Sequence, residues 1–254
     1  MIKEMNYDEK FISLMTELAS INPTLIFRKN EDGDKITVKA IENTDKSICY
    51  ILDADKDAFS FESDSLAMID FNRFISYFNT FNKANKDEKL ADKPILSVEY
   101  DDDATEARIM HINSTKQKCS FKHRLADEDA IVKPSFNRVK FPSIDANLKI
   151  SADQLTNLVA MKKLTDADRI KWAFHDSVCT VTLYNTRTTD TYETDFVLDA
   201  SVETDFEYST LAKGLPMIPD GSYAVEVSKS GIMSFKQERA DGIDLILYLA
   251  KTGK

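Results

Sequence analysis

Asp53, Asp55 and Asp57 stand at alternate positions, the spacing at which a calcium loop presents its first oxygen ligands. The rest of that loop is missing. Position six is Ala58, where a glycine must turn the chain, and position twelve is Asp64, where a bidentate glutamate belongs. His111, Cys119 and His123 offer nitrogen and sulfur ligands, but their spacing fits no zinc pattern. On alternating strands they read as separate surface and core side chains. There is no G-x-S-x-G, no phosphate loop and no G-x-G-x-x-G, and six glycines in 254 residues leave little for a phosphate cradle. Carboxylates are abundant, yet none is marked as half of an acid–base pair. The chain is therefore expected to be no enzyme and to hold neither metal nor cofactor.

Composition points to a globular protein: 43% of residues are hydrophobic and 30% charged. No apolar run approaches the roughly 20 residues that span a bilayer, and Met1 to Asn6 lack the apolar core of a secretory signal. Three widely spaced cysteines, Cys49, Cys119 and Cys179, suit reduced thiols in the cytoplasm better than a disulfide framework. The net charge of -10 argues against a broad basic surface gripping phosphates.

The elements that must position these residues follow from periodicity. Phe11, Leu14, Met15, Leu18 and Ile21 recur at helical spacing, with Asp8 and Glu9 in the first turn and Asn22-Pro23 as a stop. Strands are expected at 25–29, 35–41, 47–52, 58–62 and 66–69. A second helix carries the stripe Phe71, Phe74, Ile75, Phe78 and Phe81, with Arg73, Ser76, Thr80 and Lys83 opposite. Strands at 95–100, 108–112 and 116–124 complete the first half. Residues 126–142 hold Asp127-Glu128-Asp129, Pro134 and Pro142 without a sustained period, and read as a connector. The order then recurs. A strand at 146–150 runs into Ser151, a suitable N-cap, and a helix with Leu155, Leu158 and Val159. Strands at 169–175, 178–184, 191–198 and 202–206, a short helix at 209–214, and strands at 222–228, 231–237 and 243–250 follow. The expected fold class is α+β: domains 1–125 and 143–254, joined by 126–142, each with two helices on a mostly antiparallel sheet.

Several passages then carry a family likeness: FISLMTELASINP (11–23), LAMIDFNRFISYF (66–78), KFPSIDANLKISADQLTNL (140–158) and Tyr248-Leu249-Ala250 in the last strand. In this order they resemble the DNA sliding clamps, most closely those of tailed bacteriophages, a family related in fold to proliferating cell nuclear antigen. Relative to the phage clamps the chain is longer around 82–93 and 101–106. The resemblance implies a homotrimeric ring around double-stranded DNA that serves as a processivity factor for a DNA polymerase. It also implies an ATP-dependent clamp loader and, in the phage branch, coupling of late transcription to replication. No membrane is involved. On the DNA-facing helices it implies Lys10, Arg73, Lys83, Lys163 and Lys213, each of which also suits an ordinary solvated helix face. At the subunit interface it sets the strand 116–124, with Lys116, Lys118, Lys122, His123 and Arg124, against the strand 190–199, with Asp190, Glu193, Asp195 and Asp199. The pairing is complementary, and both strands also suit charged edges that keep a protein soluble. For partner peptides the resemblance implies a pocket of Ile131, Val132, Pro134, Pro219, Tyr248 and Ala250, residues that equally suit fixing the connector to the body. The alternative is a symmetric structural component of a phage particle that does not encircle DNA.

Overall fold

The computed structural model describes residues 1–42, 47–84, 93–103, 105–114, 119–128, 141–237, 239 and 242–251, with backbone alone at 82–84 and 119. It divides into two compact units, Met1–Ala40 with Leu52–Ser135, and Ile41–Ile51 with Phe136–Lys254. The boundary differs from a simple cut at the connector, because the segment Ile41–Ile51 belongs to the second unit.

In the first unit, helix α1 (Glu9–Ile21) starts at Asp8, whose carboxylate accepts the Lys10 N–H at 2.7 Å. It ends at Asn22, as the residue before a proline must leave the helical region. The expected apolar stripe is buried, together with Ile12 and Ala19. Helix α2 (Phe71–Ala84) buries Phe71, Phe74, Ile75, Phe78 and Phe81. The core between them is a run of aromatic rings: Phe27 lies 4.9 Å from Phe59 and 6.1 Å from Phe71, which lies 5.2 Å from Phe74. Such pairs add about 0.5–1.5 kcal/mol each beyond their buried area.

Two groups of strands support these helices. One is an antiparallel sheet in the order β1-β6-β7-β8, made of β1 (Ile2–Met5), β6 (Ile95–Tyr100), β7 (Ala107–Ser114) and β8 (Cys119–Arg124). The other runs β5-β2-β3-β4, made of β2 (Leu25–Lys29), β3 (Lys35–Ile41), β4 (Ile48–Asp55, of which Leu52–Asp55 lies in this unit) and β5 (Ser65–Met68). Residues 58–62, expected as a strand, do not form one. Lys56–Ala58 make a turn of 3-10 helix and Phe59 is held by a single bridge to Tyr7. Its side chain is spent on the aromatic core. Strand β1 was not legible in the sequence, since four residues with one buried side chain show no sustained alternation. The alternate aspartates Asp53 and Asp55 lie on β4 rather than in a loop, and among the described residues no cluster of ligands fit to hold a metal ion is present.

The second unit opens with β9 (Ala146–Ile150) and helix α3 (Ala152–Leu164), started by a reciprocal capping box between Ser151 and Gln154. A sheet of order β12-β11-β10-β13 follows, made of β10 (Arg169–His175), β11 (Val178–Tyr184), β12 (Thr191–Val197) and β13 (Phe206–Leu211). Trp172 is fully buried on β10, and its indole N–H donates to Thr210 Oγ1 at 3.0 Å. Strands β14 (Tyr223–Ser228), β15 (Ile232–Gln237) and β16 (Asp244–Ala250) continue the order β4-β16-β15-β14-β9 from Ile48–Ile51 of β4. The expected strand 202–206 and helix 209–214 both shift along the chain. Strand occupies Phe206–Leu211, and the helix is a 3-10 helix at Ala212–Met217. The alternation of Phe206, Tyr208 and Thr210 against Phe174, Trp172 and Ile170 settles the strand, and Pro216 suits a short 3-10 turn better than an α-helix. Among the described residues no helix is long and apolar enough to cross a membrane.

Candidate functional site

The two charge-sorted strands fall at corresponding places. Strand β8 is an end strand of the first unit's four-stranded sheet, and β12 is an end strand of the second unit's. Lys116 and Lys118 lie outside the described residues; Lys122 and Arg124 are exposed on β8. Glu193 and Asp195 are exposed on β12, next to Val197, which is 78% exposed.

The backbone gives these side chains their meaning. In an antiparallel ladder, residues alternate between bonding the neighbour and pointing away from it. The Leu125 N–H donates to the Arg108 carbonyl in the register of β7 and β8, so the odd-numbered residues of β8 bond inward. Ser120, Lys122 and Arg124 therefore turn their own N–H and C=O groups to the outer side of the sheet, where no further strand pairs among the described residues. On β12, the Leu198 N–H donates to the Ser177 carbonyl in the register of β11, which leaves Thr191, Glu193, Asp195 and Val197 facing outward. In both strands the residues with outward backbone groups are those whose side chains lie on the exposed face, while Phe121 and His123, and likewise Phe196, turn to the other face. The acidic pair is also held in place: Thr180 Oγ1 donates to Asp195 at 2.6 Å and Thr182 Oγ1 to Glu193 at 3.2 Å.

The other end strands of these sheets are β1 and β13. By the same parity β1 turns Ile2 and Glu4 outward, and β13 turns Glu207, Ser209 and Leu211 outward. Among the described residues of the four ends, β8 alone presents a cationic row. Unpaired edges otherwise invite uncontrolled association, and charge is one of the means that restrains it.

Beside Lys122 and Arg124 lies a cleft of about 720 Å³, entirely within the first unit. Its walls are β5, the start of β7 and the segment Leu125–Glu128. That segment is anchored: Ala126 N–H donates to Ala67 O at 2.9 Å, and Glu128 is engaged by Arg28 and Ser65. A smaller cleft in the second unit is lined by Ile144, Val202 and Phe206 among others.

On the helices, Lys10 of α1, Arg73 of α2 and Lys163 of α3 are exposed. Arg73 folds back on its own helix, its Nε–H donating to Tyr77 Oη at 2.6 Å. The side chain of Lys83 lies outside the described residues. Lys213 is on the 3-10 helix rather than an α-helix, and its ammonium is ion-paired with Glu42. Of the expected peptide pocket, Ile131, Val132 and Pro134 lie outside the described residues. Tyr248 and Ala250 are half-buried on β16, and the Pro219 carbonyl accepts the Tyr223 hydroxyl at 2.7 Å. Neither cleft is lined by these three.

Two histidines that the sequence left as scattered are in place around β8. His111 Nε2 lies 3.0 Å from Glu99 Oε2, opposite Lys122 in the ladder. His123 is buried, and its Nε2 has no hydrogen-bond partner among the described residues. Burial holds its pKa below the ordinary histidine value; Asp70 opposes that and Arg73 adds to it.

No family model matches the sequence, and no curated protein does. Solved structures match throughout. A. fulgidus PCNA bound to the C-terminal region of FEN-1 is 11% identical, with a TM-score of 0.67 over 100% of this chain and 99% of that one. PCNA from Thermococcus kodakaraensis is 16% identical, with a TM-score of 0.68 over 99% and 100%. The H. pylori beta clamp is 9% identical, with a TM-score of 0.69 over 100% of this chain and 66% of that one. At such identities it is backbone architecture that is shared, and the chain has the α+β fold of the DNA clamps.

Proposed function

We propose that this chain is one subunit of a homo-oligomeric DNA sliding clamp, a non-catalytic ring that tethers a polymerase to its template. One observation carries the reading: a cationic sheet end on one unit and an acidic sheet end on the other, each with exposed charge and outward backbone groups on the same residues. This combination admits a single orientation. In a parallel pair, a residue bonding across the junction lies opposite one whose backbone points away. Joining β8 to β12 in that way would put the charged face of one strand beside the core face of the other. Antiparallel pairing keeps both faces continuous. The register with Lys122 opposite Asp195 and Arg124 opposite Glu193 matches both charges and brings Phe121 opposite Phe196.

A heterologous contact of this kind closes a ring when the rotation allows and otherwise grows a filament. The clamp fold favours closure, and the resemblance to phage clamps favours three subunits. A closed ring holds DNA by topology, so a net negative protein needs only sparse, non-specific phosphate contacts from residues such as Lys10, Arg73 and Lys163. Tethering then raises the local concentration of the polymerase at the primer end. Such a ring requires an ATP-driven loader. It works in the cytoplasm, and in a phage it also couples late transcription to replication.

The test has two arms. Lys122→Glu with Arg124→Glu dissociates the assembly in sedimentation velocity, and Glu193→Lys with Asp195→Lys on the same chain restores it in part. On primed circular DNA, the wild-type protein with its loader lengthens polymerase products and the dissociated variant does not. An assembly of unchanged size in the first variant removes the interface. An intact assembly without loader-dependent stimulation favours a structural component of a particle.

A further inference from the structure

We propose that the cleft beside β8 receives the loop between β11 and β12 of a second copy of this chain. The inference rests on the edge pairing above and concerns what lies past the end of that pairing. With Lys122 opposite Asp195, residue 126 falls opposite Thr191. At Ala126 the first copy leaves the shared edge, since its N–H is committed to Ala67 O at 2.9 Å. The second copy's strand has no reason to stop there. Followed backward from Thr191 it enters the loop Asn185–Asp190, which that register carries over the cleft.

Both parts suit the contact. The cleft, at about 720 Å³, is of the size that takes up a compact group of side chains. It offers charges of both signs, with Glu106, Arg108, Arg124 and Asp127 among its lining residues. The loop is exposed from Thr186 to Asp190 and likewise carries both signs, on Arg187 and Asp190. It is also ordered in advance. Asn185 Nδ2 donates to Asp166 O at 2.6 Å, Thr186 N–H and Oγ1–H donate to the Asp168 carboxylate at 2.9 and 2.6 Å, and Arg187 N–H donates to Asn185 Oδ1 at 2.8 Å. The Thr186 hydroxyl, with its N–H, holds Asp168 below the usual carboxylate range. A surface loop held this firmly loses little freedom on docking. Arg187 of the second copy then meets Glu106, which within the first copy lies 3.5 Å from the Arg108 guanidinium, and Asp190, set opposite Asp127 by the register, turns to Arg108. The loop reaches beyond the short ladder and fixes its register, because a shift by two residues would move Arg187 away from Glu106.

The experiment is a charge-swap cycle on the full chain, read as the dissociation constant of the assembly by sedimentation velocity. Arg187→Glu and Glu106→Arg each weaken association about tenfold, the scale of losing one interfacial charge contact. The double variant recovers most of that loss. Two weakened single variants with no recovery overturn the contact. If both single variants assemble like wild type while Lys122→Glu with Arg124→Glu dissociates, the cleft assignment falls and the edge pairing stands. If that last variant also assembles normally, the edge pairing itself has failed.

Discussion

His123 is the residue whose environment departs furthest from its appearance in the sequence. It sits in a basic run, yet its ring is buried, 6.2 Å edge-on from Phe74, with Met110 opposite it in the ladder. Burial depresses its folded pKa below 6.5 despite Asp70 nearby. The unfolded chain therefore binds a proton that the folded one refuses, and stability falls as pH drops below about 6.5, the unfolded value. His175 acts in the opposite sense, because Asp205 raises its pKa and stabilises the protonated form at low pH. The difference between wild type and His123→Leu isolates the first effect. Urea unfolding at pH 7.5 and 5.5 should show wild type losing more stability on acidification than the variant. Equal losses would mean that His123 finds a proton acceptor after all. Lys213 departs in another way: expected to face DNA, its ammonium is ion-paired with Glu42.

At the scale of elements, the two α-helices with clear stripes were legible, and their phenylalanines and leucines are buried as the periodicity demands. Helix α3 is different. It buries only Leu155 and Leu158, so its start depends heavily on the capping box. Ser151→Ala should cost about 1 kcal/mol, with little change in the denaturant slope. A loss below a few tenths would show that Gln154 and the helix dipole suffice. Turns were harder to read. Gly231, at φ +93°, closes the connection between β14 and β15 beneath the Lys251 side chain, where any Cβ would collide with it. Strand Phe206–Leu211 was misplaced because Val202 and Phe206 are both apolar; pairing with β10, far back in the chain, made the choice.

For the whole molecule, separable surfaces are the main consequence. In the proposed ring the subunit contact draws on β8 and β12, whereas DNA passage would draw on exposed helix cations. Lys10→Glu with Arg73→Glu should leave the assembly mass unchanged and reduce polymerase product length several-fold, more strongly at low salt, where phosphate contacts matter most. Product length equal to wild type across salt concentrations would show that neither residue faces the DNA. Coincident loss of assembly would place them in the subunit contact instead.

Much about this protein was determined by the sequence alone. Periodicity located the helices and most strands, the resemblance to the clamps pointed to the strands that carry Lys122, Arg124, Glu193 and Asp195, and spacing alone set aside the Asp53 series as a calcium loop. These are local properties, carried by side-chain type and spacing. Tertiary structure alone decided that both charged strands end their sheets, that their outward backbone groups fall on the charged residues, and that His123 is buried among them. Those facts depend on which strand lies beside which, and strand neighbours are chosen by contacts between residues far apart in the chain.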